Sequence, residues 1–218
     1  MINIGIEFEF YLKNKFDLKN IVDIIKRYLR KITKECNIIE NIEDKKIYKS
    51  PICRNTNTFY IEKDNSLNSK YGLELITKII KENELWLYLS NIFKMIKEIG
   101  YTTELTGLHF HLSNENRKKL DKNKFIKELK KIELNTLKKE RNGINSIFDT
   151  FKNDKVINIS NKMEKNFNIV FVKNEKYKNH IEIRAFGGER YEHKGNEIYK
   201  KIKKIINVYK KEEIYNDK

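Results

Sequence analysis

The sequence predicts an α+β fold in which a largely antiparallel sheet packs helices on one face and presents an open polar face on the other. Apolar and polar residues alternate along several segments, which is typical of strands with one buried face and not of the continuous apolar strands of parallel sheets. Long amphipathic helices lie between those strands. No repeat or Pro/Ser/Gly-rich linker divides the chain, so one domain is expected over residues 1–218.

The first half of the chain opens with a strand. Residues 2–12 alternate strictly, with apolar side chains at the even positions. Asp17 is expected to cap a helix whose apolar stripe continues to Ile32. Three further strands are expected at 46–53, 57–62 and 72–80, with a turn near residues 65–71. A helix from about 83 to 99 should end at Gly100.

The second half of the chain also shows alternating and amphipathic segments. Residues 105–113 alternate again, and a Lys-rich amphipathic helix is expected over 121–140. Two more strands are expected at 166–173 and 179–186. A helix of about 195–212 ends the series. The resulting order, β-α-β-β-β-α-β-α-β-β-α with alternating strands, favours an antiparallel sheet covered by helices on one side.

The charge is strongly positive, with 46 Lys+Arg against 31 Asp+Glu and a formal net charge of +15. Only 7 of the 46 basic residues are Arg, so 46 − 7 = 39 are Lys. Nucleic-acid readers rely more on Arg, because its planar fork matches phosphate and guanine. A nucleic-acid partner is therefore compatible with the charge but not favoured, and a charged substrate such as ATP fits equally well.

The sequence also predicts the compartment. No apolar run approaches the roughly 18–20 residues of a membrane span. Glu7 and Glu9 interrupt any apolar region of a secretory signal. Cys36 and Cys53 lack metal-type spacing and are interpreted as reduced thiols. A cytoplasmic protein without a membrane partner is expected.

Three polar rows on separate strands are the candidate functional residues. They are Glu7 and Glu9, then His109, His111 and Ser113, and finally Glu182 and Arg184. Taken singly, each row has an ordinary interpretation: a solvated strand face, a structural or zinc-binding His pair, and a same-face ion pair. His180 and His193 have no evident partner and are expected at the surface.

Two further carboxylates strengthen the pattern. Asp64 precedes a turn, where it has an alternative role in turn formation, and Glu74 lies among apolar residues of a strand. Carboxylates in such surroundings are costly unless something pairs with them, and a divalent cation site explains all the rows together. Zinc is disfavoured because carboxylates dominate and neither Cys is placed to help.

Four segments in order carry a resemblance to a known family. They are GIEFEF at 5–10, the stretch from DNSL to GLEL at 64–75, TGLHFHLS at 106–113 and HIEIRAFGG at 180–188. With these segments the chain resembles the amidoligase family of carboxylate–amine ligases, which is related to glutamine synthetase and glutamate–cysteine ligase. The segments span most of the chain.

The resemblance implies a glutamine-synthetase-like catalytic domain that uses ATP and Mg²⁺, with Mn²⁺ as an alternative ion. It implies metal ligation by Glu7, Glu9, Asp64, Glu74, His109 and Glu182. His111, Ser113 and Arg184 match nucleotide-binding positions, and Arg184 with His111 would act in catalysis. Arg141 and Lys165 are candidates for the family's other basic residues. The family often has a Ser-Pro step after the carboxylate at Glu74, and this chain has none.

The implied reaction joins a small-molecule or peptide carboxylate to an amine through an acyl phosphate made from ATP. Two alternatives stay open on the residues alone. One is a divalent-metal-dependent phosphodiesterase or nuclease, which would use the same carboxylate–His cluster. The other is a non-catalytic polyanion-binding module, which would use the basic surface.

Overall fold

A mostly antiparallel sheet with helices packed on it forms the α+β fold that the sequence predicts. The computed structural model describes residues 2–13, 18–33, 37–41, 57–64, 66–67, 71–114, 119–132, 169–172 and 178–214. The predicted strand at 46–53, the capping residue Asp17, both cysteines and the pair Arg141 and Lys165 lie outside these residues.

The described strands and helices have the following bounds. The strands are β1 Ile2–Leu12, β2 Asn37–Asn41, β3 Thr58–Lys63, β4 Gly72–Ile76, β5 Gly100–Tyr101, β6 Gly107–Asn114, β7 Lys119–Leu120, β8 Ile169–Val172, β9 Lys178–Gly187 and β10 Glu213–Ile214. The α-helices are α1 Leu18–Ile32, α2 Leu85–Ile99, α3 Lys122–Lys131 and α4 Gly195–Lys211. Short 3-10 turns occupy Glu82–Glu84 and Tyr191–His193. Among the helices described, none combines the length and apolar character needed to cross a membrane.

Strand β1 lies in the interior of the sheet, whose order is β2-β3-β4-β1-β6-β9-β8. It runs antiparallel to β4 on one side and to β6 on the other, and the short β5 pairs with its end. The pairing of β2 with β3 is parallel, whereas β3–β4, β6–β9 and β8–β9 are antiparallel. Strands β7 and β10 form a separate two-stranded sheet.

The even positions of β1 form the centre of the hydrophobic core. Ile4, Ile6, Phe8 and Phe10 are fully buried, and Phe8 packs edge-on against Phe93 of α2 with ring centroids 5.8 Å apart. Helix α2 also contacts α1 and α4, so the helices cover this side of the sheet as one layer. Because side chains alternate along a strand, the odd positions of β1 all lie on the opposite face.

Several element bounds differ from the predicted ones. Strand β4 ends at Ile76 and not at residue 80, because the Thr77 hydroxyl accepts a hydrogen bond from the Ile6 amide at 2.9 Å and interrupts the ladder. The parallel strand β2 was not predicted, since its five residues are too few to show periodicity. Helix α3 ends at Lys131 and does not continue as predicted, because the backbone of Ile132 is extended. Residues 133–140, which the prediction also included, lie outside the described residues.

Candidate metal centre

The register of four neighbouring strands brings the predicted carboxylates and histidines to one face of the sheet. Glu7 lies opposite His109 of β6, and Glu9 lies opposite Glu74 of β4. Strand β9 places Glu182 opposite His111. Since partners that face each other in an antiparallel pair have adjacent side chains, residues far apart in sequence form one cluster.

Glu7 lies at the middle of this cluster and contacts both histidines. Its Oε2 atom lies 3.0 Å from Nδ1 of His109, and its Oε1 atom lies 3.2 Å from Nε2 of His111. The histidine side chains are only 2% and 1% exposed. The carboxylate therefore joins two buried imidazoles that lie two residues apart on β6.

Two groups of possible metal ligands share Glu7. The first consists of Glu7, Glu74 and His109, and the second of Glu7, His111 and Glu182. Within each group the ligand atoms lie within 4.8 Å of one another. Each group offers two carboxylates and one imidazole, so each could hold one divalent cation, and Glu7 is common to both groups.

Arg184 lies at the edge of the second group. Its Nη1 atom donates a hydrogen bond of 3.0 Å to Oε1 of Glu182, and that oxygen is also 3.7 Å from Nδ1 of His109. The Arg184 side chain is 24% exposed, more than any other side chain of the ion pairs in this cluster. The guanidinium is thus held by Glu182 at the border between the cluster and solvent.

Glu9 is fixed by the backbone beside the first group. Its Oε2 atom accepts a 2.6 Å hydrogen bond from the Gly107 amide, and its Oε1 atom lies 3.3 Å from Nε2 of His109. That nitrogen makes no hydrogen bond among the described residues, since the contact with Glu9 lacks the required geometry. A buried imidazole nitrogen in this state is suited to bind a cation.

Gly187 allows the close approach that positions the Gly107 amide. Its φ is +113°, and a Cβ atom there would lie 2.6 Å from the Thr106 carbonyl oxygen and 2.8 Å from Cα of Gly107. Another residue at this position would be strained and would push β9 away from β6. The first glycine of the sequence's Gly-Gly pair is therefore part of the site's support.

Asp64 is buried but belongs to neither ligand group. Its Oδ1 atom accepts hydrogen bonds of 2.7 Å from both the amide and the hydroxyl of Ser66. This is the turn-forming role that the sequence left open for Asp64. Of the residues predicted to bind metal, the structure thus brings Glu7, Glu74 and His109 into one group. It brings Glu7 and Glu182 into a second group with His111, which the resemblance implied as a nucleotide-binding residue and not as a metal ligand. Glu9 lies beside the first group, and Asp64 has another set of contacts.

Sequence reasoning missed Glu62, which extends the acidic side of the cluster. Glu62 lies opposite Glu74 in the β3–β4 pair, and Glu74 lies opposite Glu9, so three carboxylates form a row across adjacent strands. Burial and the charges of Glu7, Glu9, Asp64 and Glu62 hold the pKa of Glu74 well above its usual range. The alternation of β3, which puts Tyr60 and Glu62 on one face, was the available signal.

The histidine side of the cluster has the opposite electrostatics. Burial alone would raise the pKa of Glu7, but the charges of His111 and His109 and the hydrogen bond with His109 hold it well below its usual range. Burial would lower the pKa of His111, and the charge of Glu7 raises it instead. The contact between them therefore favours the charged form of each residue.

His180 is buried, so the prediction that it lies at the surface was wrong. The residue is 1% exposed, and its Nε2 atom lies 3.2 Å from Nδ1 of His111. Burial and the neighbouring charge of His111 lower the pKa of His180 to about 3. His193 is 47% exposed at its side chain, as predicted. His180 lies in β9, where neighbouring strands bury it, whereas His193 lies in the 3-10 turn that follows.

Ser113 continues the row of β6 beyond the two histidines. The residue is fully buried and lies opposite Asn3 of β1. Its hydroxyl oxygen has no hydrogen-bond partner within the part of the chain that the structure describes. This buried hydroxyl lies in the same row of β6 as His111 and is available as a hydrogen-bonding group.

No protein-family model matches the chain, and no curated protein matches it. The resemblance to the amidoligase family therefore depends on the four quoted segments alone.

Proposed function

We propose that this chain is an ATP- and Mg²⁺-dependent carboxylate–amine ligase with a glutamine-synthetase-like catalytic sheet. The observation that carries the proposal is that Glu7 belongs to two ligand groups at once. Two cations held by a shared glutamate would suit a polyphosphate substrate, because the negative charge of such a substrate has to be neutralised at more than one oxygen.

The donor set fits a hard divalent cation in each group. Glu74 and His109 would complete the first group around Glu7, and His111 and Glu182 the second. Carboxylate oxygens suit Mg²⁺, and one imidazole in each group also suits Mn²⁺. When bound, such ions would neutralise phosphate oxygens and favour transfer of the terminal phosphoryl group.

The chain's own residues would orient the anionic substrates. A guanidinium matches the geometry of a phosphoryl group, and Glu182 holds that of Arg184 at the solvent border of the cluster. Because Arg184 is already oriented, little reorganisation is needed when negative charge develops on the transferred group. His111 and Ser113 line the same row of β6.

The proposed reaction has two steps. An oxygen of the substrate carboxylate attacks the γ-phosphorus of ATP, ADP leaves, and an acyl phosphate forms. The amine nitrogen then attacks the acyl carbon, inorganic phosphate leaves, and the nitrogen loses a proton as the amide forms. A carboxylate and a γ-phosphate repel each other, so the first step depends most on the positive charge that Arg184 and bound cations would supply.

Calorimetric titration with a non-hydrolysable ATP analogue tests the proposal. Wild-type protein should bind the analogue only with Mg²⁺ present, and Glu7→Ala should lose that binding. Glu197→Gln is the matched control, because this glutamate lies on α4 and pairs with Lys201. Wild-type protein that binds the analogue equally well without Mg²⁺, or not at all, would overturn the proposal.

A second assay separates ligation from hydrolysis. Pairs of carboxylate and amine substrates would be screened for ADP release, and nucleic acid would be incubated with Mn²⁺ without ATP. ADP release that requires both substrates supports the ligase. Metal-dependent cleavage without ATP would instead favour the phosphodiesterase, which uses the same cluster.

A further inference from the structure

The buried contact between His111 and His180 joins the proposed centre to a residue outside both ligand groups. Their rings lie 5.4 Å apart between centroids at an interplanar angle of 45°, with His111 Nδ1 and His180 Nε2 separated by 3.2 Å. His180 lies on β9 two residues before Glu182, on the same strand face. Strand β9 thus supplies both Glu182 and a neighbour for the other side of the His111 ring.

The two nitrogens of His111 face different partners. Nε2 lies 3.2 Å from Oε1 of Glu7, the glutamate that both ligand groups share, whereas Nδ1 lies 3.2 Å from Nε2 of His180. A neutral imidazole that binds a cation uses the lone pair of one nitrogen and carries its proton on the other. The partner that accepts that proton's hydrogen bond fixes both the tautomer and the direction of the ring.

We propose that His180 is a positioning residue that accepts the Nδ1–H of His111 on its own Nε2 atom. This interaction holds the Nε2 lone pair of His111 toward the cation shared with Glu7 and Glu182. The inference rests on the proposed function, because it assigns His180 a role in the second ligand group only. The 3.2 Å contact of His180 is with His111, which belongs to the second group and not to the first group of Glu7, Glu74 and His109.

Two substitutions of His180 distinguish a positioning role from a packing role, because the two roles predict opposite orders of tolerance. Leucine fills a similar volume with an apolar side chain but accepts no hydrogen bond. Glutamine is close to histidine in length, and its Oε1 atom can accept the Nδ1–H of His111. If His180 only fills space, His180→Leu should be tolerated better than His180→Gln. If it orients His111, the order should be reversed.

Titration with Mn²⁺, followed by the electron paramagnetic resonance signal of the free ion, measures the two groups separately. Wild-type protein should bind two ions. We expect His180→Leu to weaken one of them by about 10–100-fold, the usual cost of losing a group that orients a metal ligand, and to leave the other within about 2-fold. His180→Gln should retain both affinities within about 3-fold of wild type. His193→Leu, at an exposed histidine, is the matched control.

The tautomer of His111 gives a readout that does not depend on affinity. Two-bond ¹H–¹⁵N correlation spectra of the Mg²⁺-saturated protein should show the proton of His111 on Nδ1. The same spectra of His180→Gln should retain that proton position. If His180→Leu does not fold, the wild-type and glutamine spectra still decide the question, since a proton on Nε2 of His111 would overturn the assignment.

The outcomes distinguish this inference from the proposed function. Wild-type protein that binds no divalent cation would overturn both. Two bound ions in the wild type, with both affinities unchanged in His180→Leu or weakened more by glutamine than by leucine, would overturn only the role of His180.

Discussion

The acidic end and the histidine end of the polar face differ in how their charges are balanced. At the acidic end, Glu9, Glu74 and Glu62 face one another across β1, β4 and β3. At the histidine end, Glu7 contacts His111 and Glu182 contacts Arg184. The same sheet thus holds a row of facing carboxylates beside carboxylates that contact histidine and arginine.

The pKa directions of two glutamates express this difference. Burial and four neighbouring carboxylates raise the pKa of Glu74 well above its usual range. Burial would also raise the pKa of Glu7, but His111 and His109 lower it well below its usual range. Histidine side chains thus favour the charged carboxylate at Glu7, whereas a bound cation would relieve the repulsion that acts on Glu74. This contrast supports a centre whose two cations bind with unequal affinity.

The largest expected effect comes from the residue that the two ends share. Glu7→Gln removes an anionic ligand from both groups, so both Mn²⁺ ions should be lost and turnover should fall by about 10²-fold or more. Metal titration and ADP release measure these effects. Glu197→Gln should leave both unchanged. A Glu7→Gln protein that turns over at the wild-type rate would contradict the two-cation centre.

The next effect separates the ends. Glu74→Gln should weaken binding of the ion at the acidic end, and Glu182→Gln should weaken binding of the ion at the histidine end, each by about 10-fold or more. Neither variant should change the affinity for the other ion. Two-site fits of Mn²⁺ titrations measure this selectivity. Equal loss of both ions in either variant would show that the cluster behaves as one site and not two.

Alternation of apolar and polar residues predicted most of the residues at both ends, because a strand with one buried face can be recognised from its two-residue period alone. Glu7, His109 and Glu182 could each be assigned to the polar face before any strand pairing was known. The pairing order itself could not be predicted, and it decides which residues meet. Asp64 shows the limit, since its hydrogen bonds to Ser66 depend on a turn whose geometry the sequence leaves open.

His180 and Glu62 were missed for a related reason. Each is one polar residue on an alternating strand, and nothing local distinguishes a buried position from a solvated one. Both are buried because adjacent strands bring His111 and Glu74 next to them. Burial of polar residues on a sheet face is thus a property of the whole sheet and not of one segment.

The stability of the metal-free protein should change in opposite directions at the two ends. In Glu182→Gln, Arg184 loses its carboxylate partner, so the free energy of unfolding should fall by about 1–3 kcal/mol. Glu74→Gln relieves repulsion between facing carboxylates and should raise it by about 0.2–1 kcal/mol. Denaturant unfolding at pH 8 with a chelator measures both. A loss of stability in Glu74→Gln would contradict the charge imbalance at the acidic end.

The smallest expected effect is at an ordinary ion-paired residue outside both ligand groups. It serves as the reference against which the effects at the centre are compared. Burial alone would raise the pKa of Glu82, but Lys203 and Lys210 on α4 lower it below its usual range. A lowered pKa means that the folded state holds the proton less tightly than the unfolded chain. The contribution of Glu82 is therefore present above the unfolded pKa and is lost as the pH falls through the folded pKa. Glu82→Gln should lower the free energy of unfolding by no more than about 1 kcal/mol at pH 7, and the difference from wild type should shrink as the pH falls below the usual range of a glutamate pKa. Chemical denaturation of both proteins at neutral pH and over a series of acidic pH values measures this difference. If the difference in the free energy of unfolding persisted unchanged in acid, the loss of stability would come from packing between α4 and the start of α2 and not from charge. Glu82→Gln could then not serve as the reference for the effects of charge at the centre.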